Sequence, residues 1–216
     1  MNDVPAPPIS RRKAALTVVA GLGVLGAATG ALWSVLAPPV HGVVALTRAG
    51  NRVRAYLGGE ADHFFTSAFL FVGMLSVVGV VTAVLLWQWR AHRGPALVAA
   101  LAAGGAAAAT VAAGVGAPLM RLRYGTVDVA GAPVTPEHRV HYVVEAPAVF
   151  FGHTPLQIAC SLVFPAALGA LAYAMCAVAT SRDDLGGWPP QEYQPVSGRT
   201  ETVDGALPVA PQSPSH

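Results

Sequence analysis

Four stretches of this sequence are each long enough to cross about 30 Å of hydrocarbon as a helix, and none of them carries Asp, Glu, Lys, Arg or His. They run over residues 14–36, 64–89, 95–120 and 156–180. A helix that is apolar on every side has no face to offer water. This feature predicts an α-helical integral membrane protein built as a four-helix transmembrane bundle. Composition points the same way: 54% of the residues are hydrophobic and 11% charged, against about 25% charged in soluble domains. A net charge of +2 is too small to draw a nucleic acid.

The absence of charge within the spans bears on function as well. Proton relays, voltage sensors and ion-coupled carriers place ionisable groups inside the membrane, and these spans hold no Asp, Glu, Lys, Arg or His. The two cysteines, Cys160 and Cys176, both fall in the last span, about 24 Å apart along a helix. That is too far for a bond between them, and they read as small hydrophobes.

Arg11, Arg12 and Lys13 precede the first span, Arg90 and Arg93 fill the short turn between spans two and three, and Arg182 follows span four. By the positive-inside rule these ends belong in the cytoplasm. The opposite end carries Arg48, Arg52, Arg54, Arg121, Arg123 and Arg139, so the raw count is seven against six once Arg199 is included. The basic cluster before the first span and the tight Arg90–Arg93 turn weigh most, and Trp87 and Trp89 suit the inner aromatic belt. The expected organisation is a cytoplasmic segment at 1–13, a four-span domain at 14–180 with outer loops at 37–63 and 121–155, and a Pro-rich disordered cytoplasmic tail at 181–216. The location is the plasma membrane, crossed several times with both termini inside.

Span three is nearly all Ala and Gly in its middle, which suits close backbone approach inside the bundle rather than contact with lipid. Gly26 and Gly30 in span one, and Ala166 and Ala170 in span four, form similar small-residue faces, and Pro165 predicts a kink.

The outer loops read as ordered. Residues 42–57 predict two strands around a turn at Ala49, Gly50 and Asn51. In the second loop, residues 125–129 and 139–144 are both strand-like, with a Gly/Pro turn between them. Together the loops predict a small extracytoplasmic β cap. The order Thr47, Arg52-Val53, Tyr56, Glu60-Ala61, Phe64-Phe65 recurs as Thr135, Arg139-Val140, Tyr142, Glu145-Ala146, Phe150-Phe151. The two halves therefore read as tandem helix–β–helix repeats about a pseudo-two-fold axis along the membrane normal. Strands from the two loops are expected to share one sheet, which covers edges otherwise left open.

Candidate site residues lie on the outer side. His41, His63 and His153 each stand at the mouth of a span and are weak candidates for a metal such as Zn²⁺, with no established ligand motif around them. Arg52, Arg54, Arg121 and Arg123 are candidates for an anionic lipid head group. The competing role for these arginines is pairing with Glu60, Asp62 and Glu145 within the cap. Nothing in the sequence calls for a cofactor. No C-x-x-C, G-x-S-x-G or phosphate-binding glycine loop occurs, so no catalytic residue is assigned.

Four segments carry a family resemblance: LAPPVHGVV at 36–44, WQWRAHRG at 87–94, FFGHTPLQ at 150–157 and RDDLGGWPP at 182–190. Across roughly residues 11–190 the chain resembles a small actinobacterial, largely mycobacterial, four-helix membrane protein family of unknown function (domain of unknown function 2567). The resemblance implies location and topology and brings no activity with it. The expected role is a non-enzymatic accessory or scaffold protein of the cell envelope, with the bilayer and a membrane protein or a second copy as partners. The alternative is a lipid- or metal-binding envelope protein, carrier or enzyme, that uses the outer His and Arg residues.

Overall fold

The computed structural model describes residues 9–181 and Leu185. The expected tail at 181–216 otherwise lies outside the described residues. The elements follow the order α1 (Arg11–Leu36), β1 (Val40–Leu46), β2 (Arg52–Tyr56), α2 (Asp62–Trp87), α3 (Pro95–Tyr124), β3 (Val140–Glu145) and α4 (Pro155–Val178). A 3-10 turn at Arg90–His92 joins α2 to α3. All four helices are long and apolar enough to cross a membrane, and each covers an expected span to within a few residues.

The helix ends have local causes. The Ser10 hydroxyl accepts from the Lys13 N–H and starts α1. Thr154 and Gln157 form a reciprocal capping box at α4, with Pro155 in the first turn. Pro95 opens α3 in the same way. Ser and Thr side chains within the helices turn back onto carbonyls of the preceding turn, as Thr29 onto Leu25 and Ser76 onto Val72, both at 2.7 Å.

The helices pack as α1 along α3, α3 along α4 and α4 along α2, while α1 and α2 meet over a shorter stretch, around Trp33. Small residues set the spacing. A methyl built on Gly26 would fall 2.8 Å from the Ala108 Cα, and one on Gly30 the same distance from the Ala112 Cα. Gly79 faces the Pro165 carbonyl and Gly169 across the α2–α4 contact, at 3.0 Å and 3.6 Å from where a Cβ would stand. Span three is accordingly the most buried of the four, as its Ala/Gly run predicts. Larger side chains fill the two ends. Trp33, wholly buried, donates its indole N–H to the Ser67 carbonyl at 2.8 Å and meets Phe71 edge-on. At the other end Tyr173 is buried against Trp87.

The three strands form one antiparallel sheet in the order β2-β1-β3. The hairpin turns where the sequence places it, with the Thr47 N–H on the Asn51 carbonyl at 2.9 Å. Strand β3 comes from the second loop and pairs along β1, Val40 opposite Glu145 and Val44 opposite His141. One sheet thus ties the two loops together. Alternation along β1 buries Val40, Gly42 and Val44. Residues opposite them share that face: Arg54 and Tyr56 on β2, His141, Val143 and Glu145 on β3.

One expected strand does not form. Residues 125–129 make no ladder. The helix before them runs four residues further than its apolar stretch, with Arg121 and Arg123 in its last turn, where cations suit the helix dipole. Gly125, at φ +73°, ends it in a conformation that other residues rarely adopt. The Asp128 carboxylate then accepts the Ala130 and Gly131 N–H groups, both at 3.0 Å, and holds the segment as a turn.

Candidate functional site

The polar side chains collect at the sheet end of the bundle, in two separate places. The first is a pair of histidines on one carboxylate. His41 Nδ1 lies 2.9 Å from Glu60 Oε2, and His63 Nδ1 lies 3.0 Å from the same oxygen. The His41 backbone N–H donates to it as well, at 2.9 Å. His63 Nδ1 also stands 2.9 Å from the Pro39 carbonyl. Every one of these partners is an acceptor, so both Nδ1 atoms carry protons. The His41 backbone N–H, the His41 ring and the nearby His63 hold the Glu60 carboxyl below the usual carboxylate range. That leaves each ring its Nε2 lone pair, the one a metal could use. Among the described residues, no three His, Cys, Asp or Glu side chains are grouped to hold a metal ion. His153 is not brought to this pair.

His153 lines the second place, a groove between the cap and the helices. Its first hollow, about 390 Å³, is bordered by Arg54, Arg121, Thr126, Glu145, Phe150 and His153. Arg54 is paired with Glu145 and lies 5.2 Å from the centre of the Tyr56 ring. Arg121 has neither an ion pair nor a side-chain hydrogen bond among the described residues. Of the other two arginine candidates, Arg52 stays exposed outside the groove, and Arg123 lies over the Tyr124 ring at 5.2 Å. The groove thus takes two of the four arginines, Arg54 and Arg121. The expected pairing of arginine with Glu145 is present, while Glu60 serves the histidines instead.

A second hollow, about 530 Å³, shares Arg54, Phe150 and His153 with the first and adds Tyr56, Phe64 and Phe65. Phe151 is common to this hollow and to a third, about 480 Å³, which lies between α2 and α4 and is walled by Phe69, Val72, Leu156, Cys160 and Phe164. The Phe65 and Phe151 rings meet at 5.4 Å, and Phe65 stacks on Phe69 at 6.2 Å. Gly152, at φ +144°, lets the chain turn from this aromatic wall into the α4 cap, where a Cβ would strike the Gln157 side chain. Sequence reasoning missed the cleft residues Cys160 and Phe164. Their only signal is a helical spacing that any buried helix shares.

The arrangement offers cationic side chains at one end and an apolar cleft at the other, with no nucleophile beside a base among the described residues. Comparison with known proteins gives a family and no reaction. The family model described as "Protein of unknown function (DUF2567)" matches residues 22–187. The chain belongs to this family. It is 49% identical over 194 residues to the uncharacterized protein Rv1591 of Mycobacterium tuberculosis (strain ATCC 25618 / H37Rv), covering 89% of this chain and 99% of the relative. It is 46% identical over 187 residues to the uncharacterized protein ML1222 of Mycobacterium leprae (strain TN), covering 87% and 93%. No solved structure matches the chain. Neither the family nor these relatives carry a specific function.

Proposed function

We propose that this DUF2567 chain crosses the plasma membrane four times, with both termini in the cytoplasm and the sheet outside, and acts there as a non-enzymatic accessory or scaffold protein. One observation carries this reading: the side chains suited to recognition gather at the sheet end, and the helices between hold no Asp, Glu, Lys, Arg or His from 14 to 36, 64 to 87, 95 to 120 or 155 to 178. A bundle without such groups has nothing to relay a proton or couple to an ion. Large exposed side chains run along the helices, among them Val24, Leu32, Phe69, Val77, Leu85, Val163 and Leu171. In water that surface would aggregate, and in lipid it costs nothing. The Arg90 and Arg93 turn favours the cytoplasmic side for the opposite end.

Duplication is part of the same reading. Three features support it. In the first loop the Thr47 hydroxyl accepts the Asn51 N–H at 3.0 Å, and the Thr47 N–H returns to the Asn51 carbonyl. In the second loop Thr135 makes the same pair of bonds with His138, at 3.1 Å and 3.0 Å. The corresponding helices pack on each other, α1 on α3 and α2 on α4, and the corresponding Phe65 and Phe151 touch.

Two measurements test the reading. Single cysteines replacing Asn51 and Gln88, in a chain freed of Cys160 and Cys176, report the sides of the membrane. An impermeant reagent added outside intact cells should modify position 51 and spare position 88. The reverse pattern overturns the orientation. Native mass spectrometry after gentle extraction should show a second membrane protein, or a second copy, at fixed stoichiometry. A chain that is bare of protein under every mild extraction removes the accessory role.

A further inference from the structure

The three hollows make a series whose chemistry changes along its length, the first and second sharing Arg54, Phe150 and His153 and the second and third sharing Phe151. It begins at the guanidinium of Arg121, beside the Arg54–Glu145 pair and His153. It continues in the hollow lined by Phe64, Phe65 and Phe151. It ends in the cleft between α2 and α4, walled by Phe69, Val72, Leu156, Cys160 and Phe164. With one arginine already neutralised by Glu145, Arg121 leaves a net positive charge at the head of the series. Leu156 and Phe164 stand eight residues apart on α4, so the cleft runs about 12 Å down the helix.

No simple soluble ligand uses all of this. A free anion needs the arginine and has no use for an apolar cleft. An apolar molecule fills the cleft and leaves Arg121 unmatched. A molecule with an anionic head and an acyl tail satisfies both ends at once. We propose that this groove holds one anionic phospholipid of the outer leaflet, its phosphate against Arg121 and an acyl chain lying past Phe151 into the α2–α4 cleft. A guanidinium suits the phosphate because its planar donors match two oxygens together. The lipid enters sideways from the bilayer, so neither end of it has to cross water.

This inference rests on the membrane reading above, and its test is separable from the cysteine labelling that checks that reading. The full chain is purified in mild detergent and offered phosphatidylglycerol and phosphatidylcholine in equal amounts, with retained lipid counted by native mass spectrometry. The expected result is one phosphatidylglycerol per chain, preferred about tenfold, because both head groups carry the phosphate but phosphatidylcholine adds a choline cation that Arg121 repels. Arg121→Ala should erase the preference and leave both lipids equal. Cys160→Trp fills the cleft and should lower retention of both lipids at least about tenfold, while Cys160→Ser, which leaves it open, should not. Matching thermal unfolding of the variants establishes that they are folded. Inorganic phosphate should fail to displace the lipid. Equal retention of the two lipids by the unaltered chain overturns the proposal. So does displacement by phosphate with Cys160→Trp unaffected, which marks a plain anion site. Loss of the lipid result with the labelling pattern intact removes the groove's ligand and leaves the topology standing.

Discussion

Glu60 is the residue on which the first loop closes. It receives the His41 backbone N–H and the His41 ring on one oxygen, with the His63 ring beside it. These donors favour the ionised carboxylate and lower its pKa. A group with a depressed folded pKa stabilises the fold above its unfolded value and loses that contribution as pH falls through the folded one. Strand β1 and the start of α2 should therefore stay joined to below the ordinary carboxylate range and separate only on stronger acidification. Hydrogen exchange at the His41 amide measures this. In Glu60→Gln the acid-dependent step in exchange should disappear, and the amide should exchange faster at neutral pH. An unchanged acid step would assign it to another group. Trp33 makes a second residue-scale case. Trp33→Phe deletes the bond to the Ser67 carbonyl and leaves a void where the indole stood, at a cost of about 1 kcal/mol for the bond alone. Thermal unfolding in detergent reads it.

At the scale of elements, the helix contacts rest on what their glycines lack. Gly26→Leu or Gly30→Leu would drive a side chain into the α3 backbone, with overpacking worth about 1–3 kcal/mol or more. Gly21 sits on the same helix with nothing within 4 Å, so Gly21→Leu should leave the unfolding midpoint alone. Equal effects at Gly21 and Gly26 would mean that helix propensity, not close approach, governs the response. The same elements mark how far sequence alone reaches. The helices were legible because an uncharged run of more than twenty residues has few other folds. The hairpin was legible because Gly50-Asn51 sits between two strand-like runs. The segment at 125–129 was not, because its fate depends on Asp128 bonding its own backbone and on a helix end that overran its apolar stretch. The groove was legible only in part. Arg54 and Arg121 could be named from their positions, but their neighbours Glu145 and His153 arrive through strand pairing and a loop, and no spacing in the chain encodes that.

For the whole molecule the decisive fact is where the large interfaces lie relative to the chain. The turn at Arg90–His92 divides it into two halves, 1–90 and 91–216. The α1–α3 contact, the α2–α4 contact and the β1–β3 ladder all cross that divide. Within the first half, α1 and α2 meet around Trp33 but less extensively than either meets its partner across the divide, so that half alone loses its larger helix interfaces. The first half on its own would leave the small-residue faces at Gly26, Gly30 and Gly79 without the backbones they fit. Cutting the chain between Trp89 and Pro95 should therefore cost loop-closure entropy and little else. The two halves, expressed together, should co-purify one to one with the cap formed. The first half expressed alone should fail to give a folded monomer. Size-exclusion chromatography and exchange protection of β1 measure both outcomes. Recovery of a stable first-half monomer would show that the halves are independent units, and the interlocked arrangement would then not be what holds the bundle together. Co-assembly with β1 protected would mean that the sheet and the paired helices act as one interface. Two copies of an ancestral half would need such an interface before they became one chain.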